Sequence, residues 1–186
     1  MAEQTEKQTK ILTREEVDQA YTWNLTDIFA TDEAFHEAVD KLVDGLTSFI
    51  ERYKGKLTDA ATILAAVKDY ERLDVLMDQC YGYASLPVSV DRTNSLYQKT
   101  QMEFISKIGK LMGELSFFES ELLQTPMNIL EEAQGLDQNY SFYLKNLLRY
   151  KPHTLSAETE KVLARLGEVM EVPYTIYETA KLADLT

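Results

Sequence analysis

The segment from Phe35 to Tyr53 constrains this chain more than any other. Its apolar residues are Phe35, Val39, Leu42, Val43, Leu46, Phe49, Ile50 and Tyr53, at spacings of 4, 3, 1, 3, 3, 1 and 3. That is a sustained 3.6-residue period, which places all eight side chains on one face of a helix. Thr31 offers an N-cap, with Asp32 and Glu33 in the first turn where acid suits the helix dipole. Gly55 is the expected residue just past the end, where a left-handed conformation closes helices.

The same period recurs downstream. Thr58 is read as the start of a second helix whose broad apolar face includes Ile63, Val67, Leu73, Val75, Cys80 and Tyr81. It is expected to end before Pro87, because the residue preceding proline avoids helical angles. A third long helix is expected from Asp91 or Thr93, with Leu96, Tyr97, Phe104, Ile105, Ile108, Leu115 and Phe118 inward. Thr125 and Pro126 form an N-cap and first-position pair for a short helix to Gln134, closed by Gly135. Tyr140 to Leu148 gives another helix. Ser156 caps a further one, with Val162, Leu163, Leu166, Val169 and Met170 inside, and Pro173 bends the chain or starts a last helix.

No run alternates with period 2, and Gly and Pro number only 7 and 4. The fold class is therefore all-α, with long antiparallel helices followed by shorter ones. Three parts are expected: an arm over 1–30, a long-helix bundle over 31–120, and shorter helices over 121–186. In the arm, "YTWNLTDIF" (Tyr21 to Phe29) should dock Trp23, Leu25, Ile28 and Phe29 on the body, since an exposed indole forgoes its burial. The pattern of "TIYETAKLADLT" stops without a closing Gly, Pro or basic cap, as expected of a chain cut from a longer protein.

Charge narrows the functions. Nineteen basic residues stand against 31 acidic ones, for a formal net charge of -12. That sign disfavours nucleic acid and anionic membranes. No segment reaches the roughly 18 continuous apolar residues of a membrane span, and "MAEQTEKQTK" lacks a secretory apolar region. A single cysteine allows no internal disulfide, and the expected location is cytoplasmic.

Little in the chain looks catalytic. "HEAVD" (His36 to Asp40) nearly spells the helical zinc-protease motif H-E-x-x-H, but its last position is Asp40. The stripe leaves His36 and Asp40 at the solvent edge, where they read as an i,i+4 pair. Cys80 follows its helix's apolar period and reads as an inert core thiol. There is no glycine-rich phosphate loop, C-x-x-C or G-x-S-x-G. The tyrosine groups Tyr81/Tyr83, Tyr140/Tyr143/Tyr150 and Tyr174/Tyr177 read as helix-interface residues with the phenol at the rim. The stretch Arg149-Tyr150-Lys151-Pro152-His153 packs three potential cations into five residues. It reads as a rigid helix-to-helix corner, its cations near the negative end of the preceding helix. No catalytic and no metal-ligating residue is assigned.

Four elements carry a resemblance: "YTWNLTDIF", "YKGKL" (Tyr53 to Leu57), "YGYASL" (Tyr81 to Leu86) and "LLRYKPHTLSAETEKVLA" (Leu147 to Ala164). Together, and in this order, they resemble the N-terminal region of oligoendopeptidase F, a zinc metallopeptidase family related to thimet oligopeptidase. The R-x-K-P-H-x-L-S element is the most specific. The resemblance implies an enzyme that cleaves short peptides in a deep channel between helical lobes, with zinc held by a downstream H-E-x-x-H helix. None of those ligands maps onto this sequence, because "HEAVD" fails at its last position and lies in the wrong part of the chain.

The expected function is thus one helical lobe of a larger zinc oligopeptidase, shaping the substrate channel without the catalytic centre. Its partners would be peptide substrate and the catalytic lobe of the same chain. Arg149, Tyr150, Lys151 and His153 are candidate contacts to that lobe or to a peptide carboxylate. An exposed apolar surface could also support a dimer. The alternative is an autonomous acidic helical adaptor that binds a protein partner.

Overall fold

A computed structural model of the chain describes residues 12, 16–155 and 157–181. Seven α-helices follow one another: α1 (Asp32–Tyr53), α2 (Ala60–Val90), α3 (Ser95–Leu115), α4 (Phe117–Gln124), α5 (Met127–Leu136), α6 (Gln138–Tyr150) and α7 (Ala157–Thr179). The described residues contain no β-strand, so the fold is all-α.

Helix α2 is the axis. Its 31 residues span about 46 Å at 1.5 Å per residue. Helices α1 and α3 pack against it and against each other, and α5 also packs on α2. Helix α6 follows α5 back and touches α4. One continuous core results, containing Phe35, Leu42, Ile63, Phe104, Leu122, Leu130 and Leu144 among others. Each such aliphatic or aromatic side chain stabilises the fold by roughly 1.5–3 kcal/mol on burial. A helix that buries more than one side needs a broad apolar surface, which explains the pattern on α2.

Helix ends are fixed by local chemistry. Thr31 caps α1, accepting the Ala34 N–H at 3.2 Å. Gly55 follows α1 with φ 74°, a conformation that disfavours a Cβ. Its N–H donates to both carboxylate oxygens of Glu121, at 2.9 and 3.0 Å, which ties this turn to α4. Asp59, one residue beyond the expected Thr58, caps α2 through the Thr62 N–H at 2.9 Å. Lys68 pairs with Asp137, the N-cap of α6, at 2.6 Å, so one carboxylate fastens α2 to the α5–α6 junction.

Several sequence expectations give way. Helix α2 runs through Pro87 to Val90. Proline removes only one N–H from the last turns, and the Pro87 carbonyl still accepts the Asp91 N–H at 3.0 Å. Buried Ala84 and Ser85 hold this end against its neighbours, and Gln101 on α3 donates to Ser85 Oγ at 3.1 Å. Pro173 likewise lies inside α7. Helix α3 starts at Ser95 because Asn94 accepts the Leu96 and Tyr97 N–H groups, while Asp91 binds Thr93 in the preceding turn. The chain breaks at Ser116, so Phe118 belongs to the separate α4.

Pro126, not Thr125, is the N-cap of α5; Thr125 instead closes α4, its hydroxyl donating to the Glu121 carbonyl at 2.9 Å. Helix α5 continues past Gly135 to Leu136, and Asp137 turns it directly into α6. The Ser156 cap lies outside the described residues. Trp23 is 62% exposed and Tyr21 84%. A 3₁₀ turn at Leu25–Asp27 delivers only the end of the arm to the body. There Phe29 packs edge-on to Tyr83 with ring centroids 5.5 Å apart. Val75, Tyr81, Leu96, Tyr97 and Ile105 are also exposed, because the packed arc of each helix is narrower than its apolar arc.

Tyrosines bind carboxylates at the rims of these interfaces. The Tyr83 hydroxyl donates to Asp32 at 2.6 Å, Tyr53 to Asp69 at 2.6 Å and Tyr140 to Glu71 at 2.6 Å. Burial first, and the carboxylate second, push Tyr53 and Tyr83 up to about 12. The folded state therefore holds these protons more tightly than the unfolded chain. The resulting stability is complete below pH ~10 and is lost as pH climbs through the folded values. Thermal unfolding followed by circular dichroism should show the melting temperature falling between pH 10 and about 12. Tyr83→Phe should flatten that fall while costing about 1 kcal/mol at neutral pH. Separately, Pro87→Ala should raise stability in urea titrations by about 1–3 kcal/mol, since it restores a helical N–H.

Candidate functional site

The basic corner is built where α6 ends. Arg149 and Tyr150 close the helix, and Lys151–His153 form a 3₁₀ turn. The Thr154 hydroxyl donates to the Lys151 carbonyl at 2.6 Å and secures that turn. The sequence groups four side chains here, but the fold separates them. Lys151 turns inward and donates to the Leu123 carbonyl near the end of α4. A cation at a helix C-terminus meets the negative end of the dipole, so this contact fastens α6 to α4. Arg149, Tyr150 and His153 face solvent. The Arg149 guanidinium lies 5.3 Å from the Tyr150 ring centroid. Three groups are thus presented outward on a stapled base.

The other sequence candidates take structural roles. His36 lies beside Phe35, ring centroids 5.3 Å apart, on the exposed side of α1. Asp40 does not pair with it; the carboxylate accepts from Lys107 on α3 at 2.9 Å. Cys80 is fully buried, and burial pushes its thiol up to about 11, away from the thiolate a nucleophile needs. Among the described residues, no group of three or more His, Cys, Asp and Glu side chains is placed to hold a metal ion. The described residues therefore do not fit zinc.

Beyond the corner, α7 presents an unpacked apolar surface. Val162, Leu163, Leu166, Val169 and Met170, expected inside, are 47% to 77% exposed. The helix is tied back near its end, where Arg92 in the α2–α3 turn pairs with Glu178. Tyr174 donates to the same carboxylate at 3.0 Å. No helix among the described residues is long and apolar enough to cross a membrane.

Two open cavities lie on the body. One, of about 250 Å³, is lined by Phe49, Arg52, Tyr53, Asp69 and Arg72 among others. Its acid is fully engaged: Asp69 receives Arg52 at 3.1 Å, Arg72 at 3.2 Å and the Tyr53 hydroxyl at 2.6 Å. The second, of about 350 Å³, is lined by Tyr70, Met112, Leu115, Ser116, Phe118, Glu119 and Tyr143. Sequence spacing missed it, because it exists only where the α3–α4 break meets α2 and α6. The grouping of Tyr140 with Tyr143 was its one legible trace.

Residues 121–186 match the family described as Oligopeptidase F. The matched segment begins within α4 and takes in the basic corner and α7. A group B oligopeptidase, PepB, of Streptococcus agalactiae is 29% identical over 177 residues, covering 92% of this chain and 29% of that protein. An oligopeptidase, PepF, of Bacillus subtilis is 31% identical over 199 residues, covering 100% of this chain and 28% of that protein. A plasmid-borne oligoendopeptidase F of Lactococcus lactis is 29% identical over 177 residues. The chain belongs to the oligoendopeptidase F family, in its N-terminal region. It spans less than a third of the length of these oligoendopeptidase F relatives. No solved structure gives a significant match.

The inward turn of Lys151 has a measurable consequence. Lys151→Ala leaves the Leu123 carbonyl without its charged donor and should destabilise the chain by about 1–2 kcal/mol. Arg149→Ala and His153→Ala, at exposed positions, should stay within about 0.5 kcal/mol of the parent. Chemical denaturation of the three variants side by side checks this split.

Proposed function

We propose that this chain is an N-terminal helical lobe of a zinc-dependent oligoendopeptidase and forms a wall of its peptide channel. The observation that carries the reading is the position of the family match. It covers the part of the chain where three outward polar groups stand on a stapled corner and an apolar helix lies unpacked. A surface of that kind is suited to lie against further protein. In this reading α7 faces the catalytic lobe of the same chain, and short peptides are the substrate. Zinc and the residues that hold it belong to that other lobe, and no hydrolytic step is assigned to the described residues. A cytoplasmic location accompanies the reading, in keeping with the single buried thiol.

Within the lobe, Arg149 is the residue proposed to meet either an acidic group of the catalytic lobe or the C-terminal carboxylate of a peptide. A guanidinium offers two parallel donors to a carboxylate, which a lysine cannot match. Tyr150 and His153 flank it. Lys151 supports them by holding the corner to α4.

Metal analysis and a fluorogenic peptide assay test the reading. The 186-residue chain should bind no stoichiometric zinc and leave the peptide intact. The complete enzyme carrying this lobe should cleave it and lose activity to a chelator. One equivalent of zinc on the chain alone, together with peptide cleavage, would sink the proposal. In the complete enzyme, Arg149→Ala should raise KM by roughly tenfold; unchanged KM and unchanged stability would remove Arg149 from its role.

A further inference from the structure

The cavity bounded by α2, the α3–α4 break and α6 combines an acidic lining with aromatic walls. Among the described residues, acids that meet another element are met by a donor: Asp32 and Glu71 receive a tyrosine hydroxyl and Glu121 a backbone N–H, and four receive a cation. Asp40 receives Lys107, Asp69 receives Arg52, Asp137 receives Lys68 and Glu178 receives Arg92. No lysine or arginine among the described residues pairs with Glu119, Asp74 or Asp78. Yet Glu119 lines the cavity, and Asp74, one turn along α2 from Tyr70, adds its negative charge and helps to raise that phenol above its usual value after burial.

The walls are aromatic. The Tyr70 and Phe118 rings lie 4.9 Å apart, and Tyr143 closes the side toward α6. Among the described residues no cation lies over any of these three rings. The field in the cavity is negative. Desolvation and then Asp78 raise Asp74, while desolvation pushes Tyr143 up to about 12, with Tyr70, Glu119 and Asp74 adding to the effect. A volume of about 350 Å³ accommodates one long side chain but not a folded partner. Aromatic faces beside an unneutralised carboxylate are the surroundings in which an organic cation gains both a charge partner and ring contacts.

We propose that this cavity binds the ammonium or guanidinium head of a lysine or arginine side chain carried by a peptide. Tyr70 and Tyr143 flank the aliphatic stem above the buried Phe118 ring, and Glu119 meets the charge at the mouth. Asp74 supplies a second negative centre behind Tyr70. The cation is inferred from the cavity alone, whereas the peptide that carries it rests on the channel-wall reading above.

The test is a titration of the intact chain with blocked lysine, N-acetyl-lysine methylamide, followed through the methionine methyl resonances. Met112 lines the cavity, and Met170 on the exposed face of α7 serves as a remote control. Blocked lysine should move the Met112 signal saturably and leave Met170 in place. The norleucine analogue, which keeps the stem and lacks the charge, should leave Met112 unmoved. Glu119→Gln, at an exposed position that carries no packing, should weaken lysine binding about tenfold. Equal shifts with norleucine, or unchanged affinity in Glu119→Gln, would overturn the cation site. A lysine-containing tetrapeptide should bind more tightly than blocked lysine; equal affinity would overturn the peptide as carrier. Neither result depends on zinc or on cleavage, so failure of the channel-wall reading would register in the zinc and cleavage assays and not here.

Discussion

Burial of α2 on more than one side is the constraint from which the rest of the architecture follows. A helix of 31 residues with apolar groups spread broadly around it cannot satisfy them against one neighbour. Helices α1 and α3 cover part of it, and α5 covers another part. Once α5 is seated, Lys68 and Asp137 fix where α6 begins, and α6 carries the basic corner to its place beside α4. The corner is therefore positioned by a chain of contacts that starts in the core, with Lys151 as its last fastening.

The same construction explains why tyrosine is so frequent. A bundle with 31 acidic and 19 basic residues lacks enough cations to neutralise every carboxylate at a helix interface. Tyrosine supplies a neutral donor on an apolar ring, and four carboxylates at the rims receive one. Around Glu119 and Asp74 no lysine or arginine among the described residues forms an ion pair, and a negative field persists beside aromatic walls. Cation shortage and the break at Ser116 coincide there, and the cavity is the product of both.

Helices α1, α2 and α3 pack on one another around the core, although α2 and α3 also leave apolar groups such as Val75 and Leu96 exposed. The family match falls on the other end, where α7 leaves its apolar groups outside. Exposed side chains such as Met170 and Ile176 are stable in water only at a cost in hydration free energy that covering them would recover. Helix α7 is tied to the α2–α3 turn near its end by the Arg92–Glu178 pair.

Residue periodicity alone determined the helical class, the stripe of α1, the buried state of Cys80 and the solvent position of His36. Each depends on spacing along one helix, which the chain carries locally. The caps at Thr31 and Gly55 were equally legible, since capping is settled within a few residues. Continuation of α2 through Pro87 was not legible, because contacts from α3 outweigh one lost N–H. Nor was the exposure of Trp23 and of the α7 stripe, since an apolar pattern says that a face can be buried but not whether a partner is present. Tertiary structure alone decided that Lys151 points inward while Arg149 and His153 point out, and that Tyr70, Phe118, Glu119 and Tyr143 meet. Those residues come from three helices, and only the packing angles between helices bring such distant positions within reach of one another.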